Sequence, residues 1–341
     1  MKNSESSHQI RSIESLEQHV GKTPGPRDLK VIDHLDKNAL RWISVSSCMF
    51  VSMADHERSE VRASIGGGVP GFVKADSNYL HIPLDMMDNY EDIVEGVGWG
   101  ALFLVPTLKE SLRVNGVIES ISNQTISVKV SECYLHCAKA FMRSNFWEEQ
   151  ATSTTVDSSA EFCDLASFML VATSNEKAQA DLSPKGDPAG KLLCLREDGV
   201  WYPDRPGNRR VDSFRNVLSQ PKIEIMALIP GSNQVLRVSG EAVLQVNDEV
   251  QNYFSVQDKN PKLVVQIDPE KVSVEISRAL KRAELWPATP PELAFKAADI
   301  WKDHVKLSKL KGVQAKIAKV AVSVPGALQK GLDFDYEKNL Y

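Results

Sequence analysis

The chain has no uninterrupted apolar stretch long enough to span a bilayer, and neither end reads as a secretory leader. A cytoplasmic protein with no membrane partner is therefore expected. Cysteine is scarce: Cys48, Cys133, Cys137, Cys163 and Cys194 are odd in number and form no C-x-x-C pair, so reduced thiols are expected. Cys133, His136 and Cys137 could share one helix face, but no second ligand pair stands at zinc-site spacing; two small buried thiols are the simpler reading, and no metal is expected. Neither sign of charge dominates. The 40 basic and 45 acidic residues give a net −5, which excludes a surface that grips nucleic acid as a whole and leaves room only for a local basic patch. Histidine is missing between residues 165 and 303. An acid or base there must be of another type or come from the N-terminal part, where His56, His81 and His136 have no spacing that marks them as catalytic.

What the chain does contain is a pattern written twice. Leu112-Arg113-Val114-Asn115-Gly116 recurs as Leu236-Arg237-Val238-Ser239-Gly240, each a few residues after an apolar run ending in Pro, at an offset of 124. Upstream, SIGGGVPG (64–71) faces SPKGDPAG (183–190) at an offset of 119; downstream, HCAKAFMRSNFW (136–147) faces EISRALKRAELW (275–286) at 139. Offsets that grow steadily along the chain are what loop insertions in a tandem repeat produce. The 341 residues suffice for two domains of ordinary size. The expected division is an N-terminal helical arm (1–27), a first repeat (28–147), a polar linker (148–161), a second repeat (162–290), and a C-terminal helix with a basic tail (291–341).

Within the second repeat, SFMLVAT reads as a strand and KLLCLREDGVWYP as a hairpin through Glu197-Asp198-Gly199. VDSFRNVLSQ has helical spacing and stops at Pro221; KIEIMALIP, VLRVSGEAVLQV and KLVVQIDPEKVSVEI continue in strands. Short connections between strands predict a mainly β, α+β protein of antiparallel barrels or sandwiches. SIESLEQHVG predicts a short helix before the first repeat, and the stretch from Pro291 one more after the second.

Gly66-Gly67-Gly68-Val69-Pro70-Gly71 fits G-x-G-x-x-G, but it leads into the alternating strand FVKADSNYLHIP where a dinucleotide fingerprint leads into a helix. The stretch GVWYPDRPGNRRVDSF (199–214) is different. Trp201-Tyr202 runs into a turn rich in Pro and Gly, with a helix expected from about Arg209. Asn208, Arg209 and Arg210 at that N-terminus make a socket for an anion such as phosphate, with Ser183 and Lys185 on the preceding strand as further contributors. A solvated basic turn is the alternative.

SPKGDPAG, WYPDRPGNRRVDSF, LIPGSNQVLRVSG and HCAKAFMRSNFW together resemble the FMN-binding split-barrel proteins related to pyridoxamine 5′-phosphate oxidase. The similarity covers roughly 28–147 and 162–286, with a specific motif in the second copy and an eroded one in the first. It implies two tandem FMN-binding split β-barrels forming an intrachain pseudo-dimer. By the same resemblance, Ser183 and Lys185 lie along the ribityl phosphate, Tyr202 and Pro203 under the flavin, and Asn208, Arg209 and Arg210 at the phosphate. Arg143, Trp147 and Lys139 come from the other copy. Where the first copy should hold its own phosphate it reads LHIPLDMMDNYEDI, acidic and without Lys or Arg between Lys74 and Lys109, so one FMN per chain is expected. The implied activity is an FMN-dependent oxidoreductase acting on a small-molecule substrate; a flavin- or haem-binding carrier or sensor without turnover is the alternative. A monomeric pseudo-dimer or a homodimer of it is expected. Seven lysines between 302 and 330, against Asp303 alone, suggest a solvated helix face, or contact with an acidic partner or the anionic cofactor.

Overall fold

The computed structural model describes residues 7–22, 27–152, 155–207, 211–293, 295–309, 331, 334, 336 and 339–341. The first half contains β1 (Ser7–Ile10), α1 (Ile13–Val20), α2 (Lys37–Val45), β2 (Cys48–Asp55), β3 (Glu60–Gly67), β4 (Lys74–Ala75), β5 (Tyr79–Pro83), β6 (Gly98–Leu104), β7 (Ser111–Ser122), β8 (Thr125–His136) and α3 (Lys139–Arg143). The second contains α4 (Ser159–Leu165), β9 (Phe168–Ser174), β10 (Ala180–Gly186), β11 (Cys194–Arg196), β12 (Gly199–Pro203), α5 (Asp212–Ser219), β13 (Lys222–Leu228), β14 (Gln234–Asn247), α6 (Asp248–Tyr253), β15 (Val264–Ile276), α7 (Arg278–Ala283) and α8 (Ala297–Leu307). Two antiparallel sheets result, ordered β3-β2-β6-β7-β8-β5-β4 and β10-β9-β13-β14-β15-β12-β11, which is the same order strand for strand. The α+β class expected from the sequence is the one observed.

Four strands explain how the sheets join. Alternate residues of a strand face opposite ways, so a strand buried on both faces reads as a continuous apolar run. In β2 and β6, Met49, Val51, Ala101 and Phe103 enter the core of the first sheet, while Cys48, Phe50, Leu102 and Leu104 turn to a separate cluster. In β9 and β13, Met169, Val171, Ile225 and Ala227 enter the second sheet's core, while Phe168, Leu170, Met226 and Leu228 join that same cluster. The halves thus share a third core between them. At about 25 cal/mol per Å² of apolar surface removed from water, burial of this cluster favours keeping them together.

The repeated arginines close the junction. Arg113, 1% exposed, donates to the carbonyl of Leu182 and pairs with Asp181 at 2.6 Å; its counterpart Arg237 donates to the Ala63 carbonyl at 2.8 Å and pairs with Glu224 at 2.8 Å. Each reaches out of its own sheet into the other.

Several local expectations need adjusting. FVKADSNYLHIP is broken into β4 and β5 because the Asp76 carboxylate accepts from the N–H groups of Asn78 and Tyr79 and folds a turn. The helix expected from about Arg209 begins at Asp212, after Val211, whose side chain offers no cap. β1 and α6 were not foreseen: β1 is a short polar strand held by pairing with β14, and α6 is six residues long and capped by Asn247. The segment 148–161 does lead into a helix capped by Ser158, but it is partly docked. Val156 is buried, and its backbone exchanges two hydrogen bonds with the Gln234 side chain (2.8 and 3.0 Å).

Candidate functional site

At the end of the junction a cavity of about 580 Å³ opens, a size usual for small-molecule sites. The second half supplies Ser183 to Asp187 from β10 and its end, Pro203 at the end of β12, and the following Asp204 and Arg205. The first half supplies His136, Cys137, Lys139, Ala140 and Arg143, mostly from α3. Neither half could form it alone. The two meet without a gap because Gly186 has no side chain: a Cβ there would lie 2.0 Å from the Ala140 carbonyl oxygen.

Of the residues expected at a cofactor, Ser183, Lys185, Pro203, Lys139 and Arg143 line this one cavity. Asn208, Arg209 and Arg210 lie outside the described residues, although Pro206 and Gly207 on their N-terminal side are in the wall. Tyr202 is fully buried in the second core, with its hydroxyl unpartnered; burial, with Asp204 nearby, pushes its pKa up. Trp147 does not reach the cavity among the described contacts. Its indole N–H donates to the Leu108 carbonyl at 2.6 Å and its ring stacks on Phe141.

The electrostatics favour an anion. Lys185 lines the cavity and rests over the Phe214 ring at 4.7 Å; burial lowers its pKa, partly offset by Asp204 and Asp181. Burial also lowers the pKa of Arg143, against the pull of Asp187. Two carboxyls sit among these cations. Asp187, 1% exposed, accepts from Arg205 Nε at 2.7 Å, and Arg205 also donates to the Phe254 carbonyl at 2.7 Å. Burial raises the pKa of Asp187 despite Arg205, and that of Asp204 despite Lys185 and Arg143. A bound anion meets less repulsion when these groups are protonated, and the cations exceed them in number.

The residues at the matching place in the first half explain the asymmetry. Gly67 approaches α7 as Gly186 approaches α3: a Cβ on it would lie 2.1 Å from the Ala279 carbonyl oxygen. Here, however, the protein fills the space itself. The Asp88 carboxylate accepts from the Ser277 hydroxyl and from the Ala279 N–H at 3.0 Å, and Met86 and Met87 pack against Gly68 and Gly66. Arg282, at the position of Arg143, donates instead to the Gly67 carbonyl at 2.9 Å.

The Asp187–Arg205 pair was not singled out from the sequence, because partners 18 residues apart with no periodicity leave no local signal. His136, which no spacing in the sequence marks as catalytic, lies in the cavity wall.

A two-sheet antiparallel protein with an anion-favouring cavity at the seam of its halves is the class that fold and site define. Residues 156–275 match the family model of pyridoxamine 5′-phosphate oxidase, which bears out, for that half, the resemblance read from the motifs. Similar solved structures include HupZ of Group A Streptococcus (23% identity, 33% of this chain and 89% of that one, TM-score 0.27). HutZ, the haem storage protein from Vibrio cholerae, is 13% identical over 34% of this chain and 89% of that one (TM-score 0.24). An F420 reductase is 11% identical over 35% and 98% (TM-score 0.25). No curated protein matches the chain. No helix among the described residues is long and apolar enough to cross a membrane.

Proposed function

We propose that the chain binds one FMN in this cavity and is an FMN-dependent oxidoreductase of the pyridoxamine 5′-phosphate oxidase-like type, built as a tandem repeat that forms a pseudo-dimer within one chain. The observation that carries the reading is the single cavity into which Ser183 and Lys185 of one half and Lys139 and Arg143 of the other converge, while Asp88 fills the matching place. The residues fit the group. Lys185 and Arg143 are cations with buried flanks that favour a phosphate, Ser183 is a hydroxyl within the same strand, and Pro203 and Pro206 offer apolar wall. When bound, FMN supplies the hydride or electron transfer, so the chain's own residues need only bind, orient and exclude water. His136 is the histidine in the cavity wall.

The purified protein should show a flavin spectrum at one FMN per chain. Arg143→Ala removes a charge-assisted contact of ~1.5–3 kcal/mol and should weaken FMN binding by about one to two orders of magnitude. A colourless protein that takes up no added FMN overturns the proposal. Flavin that binds but is never reoxidised faster by any acceptor would leave a carrier, and a Soret band would make it a haem carrier.

A further inference from the structure

The cavity already has an occupant. Asn339 and Tyr341 stand in its wall, and the contacts they and Leu340 make use the groups an anionic ligand needs. The Arg143 guanidinium donates through Nε to the Leu340 carbonyl at 2.7 Å and through Nη2 to the same oxygen. The Tyr341 ring lies within cation–π reach of two guanidiniums, 5.3 Å from that of Arg143 and 5.6 Å from that of Arg205. Lys259 donates to a main-chain oxygen of Tyr341 at 2.9 Å, and the phenol interacts with Asp187; burial and that carboxylate push its pKa up to about 12.

We infer that residues 339–341 are an internal plug that competes with an anionic ligand for Arg143, so that ligand binding displaces the tail. This rests on the reading that the cavity is a ligand site, whichever phosphate compound fills it. The chemistry gives the exchange its direction. The tail offers Arg143 only a neutral carbonyl, and offers Arg143 and Arg205 only the face of a ring. A phosphate dianion makes stronger, charge-assisted bonds to the same donors. Leu340 holds Nε of Arg143 and shares Nη2 with the Pro206 carbonyl, so a phosphate gains the full fork of the guanidinium only by displacing Leu340. A monoanion gains less from the exchange, so the plug also selects for highly charged ligands.

The test uses the full chain and two probes, FMN and inorganic pyrophosphate. Tyr341→Ala removes both ring contacts and should tighten binding of either probe by about five- to thirtyfold, the scale of two ordinary cation–π contacts. Tyr341→Phe keeps the ring and should fall between the two. In protein labelled with 3-fluorotyrosine, the ¹⁹F resonance that Tyr341→Phe deletes should move to the position of a solvent-exposed tyrosine when either probe is added. Weaker binding by Tyr341→Ala would make the tail part of the ligand site, and unchanged binding would make it a bystander; either overturns the plug. If pyrophosphate releases Tyr341 while FMN binds neither protein, the plug stands and the FMN reading falls. If neither probe moves the resonance, the plug falls.

Discussion

Adding one methyl group at either of two glycines separates what the fold needs from what the cavity needs. In Gly186→Ala the new Cβ meets the Ala140 carbonyl oxygen at 2.0 Å, and in Gly67→Ala it meets that of Ala279 at 2.1 Å, against an ordinary contact of 3.4–4 Å. The obstacle is helix backbone in both cases, so α3 or α7 must retreat by more than an ångström. Overpacking of this kind costs about 1–3 kcal/mol, which at about 2–4 °C per kcal/mol lowers the melting temperature by several degrees. Because the clashes are nearly equal, the two variants should lose similar stability in thermal unfolding followed by circular dichroism. They should differ in ligand binding. Moving α3 takes Lys139 and Arg143 away from the cavity, so Gly186→Ala should lose most FMN affinity, whereas moving α7 disturbs only the place that Asp88 fills. Flavin fluorescence quenching measures this directly. Equal loss of binding in both, or wild-type stability in either, would refute the reasoning.

Two further perturbations follow from buried charge. Arg205→Met strands Asp187, whose side chain is 1% exposed, and should cost ~3–5 kcal/mol in denaturant unfolding; a loss below about 1 kcal/mol would show that Asp187 is held by other means. Burial opposes ionisation of Asp36, but hydrogen bonds from His304, Ala39 and Asn38 outweigh it and leave its pKa below the usual value. A depressed carboxyl pKa stabilises the fold above the unfolded-state value, and that stability is lost as pH falls through the folded value. Asp36→Asn keeps a cap on α2 while removing the charge, so its deficit relative to wild type should be largest at neutral pH and vanish in acid; a deficit independent of pH would contradict this.

Much of this architecture could be read before the coordinates because junction residues obey two constraints at once. The Leu-Arg-Val-x-Gly repeat stands out since Arg113 and Arg237 must each cross to the other sheet, and the runs in β9 and β13 since both their faces are buried. Gly67 and Gly186 also coincide at the offset of 119 that pairs SIGGGVPG with SPKGDPAG, and nothing larger lets the helices approach there. Elements with one weak constraint were harder. α6 carried a capping signal in Asn247-Asp248-Glu249 but too few turns for a period, and β1 is held by backbone pairing that any side chains permit. The cavity was legible through its cations and hardly through its carboxyls. Asp187 gains meaning only from Arg205, and Tyr341 only from two arginines distant in the chain.

The shared third core has a consequence for what the halves are free to become. Two identical subunits meeting across a dyad must present the same residue at both related places, so a carboxylate suited to sealing one seam would spoil the other. Covalent linkage lifts that restriction, and Asp88 can stand opposite α7 while Arg205 and Asp187 stand opposite α3. It also makes the pairing independent of dilution, since each half meets its partner at a fixed effective concentration. One half is thereby released to serve as scaffold, lending α3 and the residues just before it to a cavity whose other walls come largely from the second half.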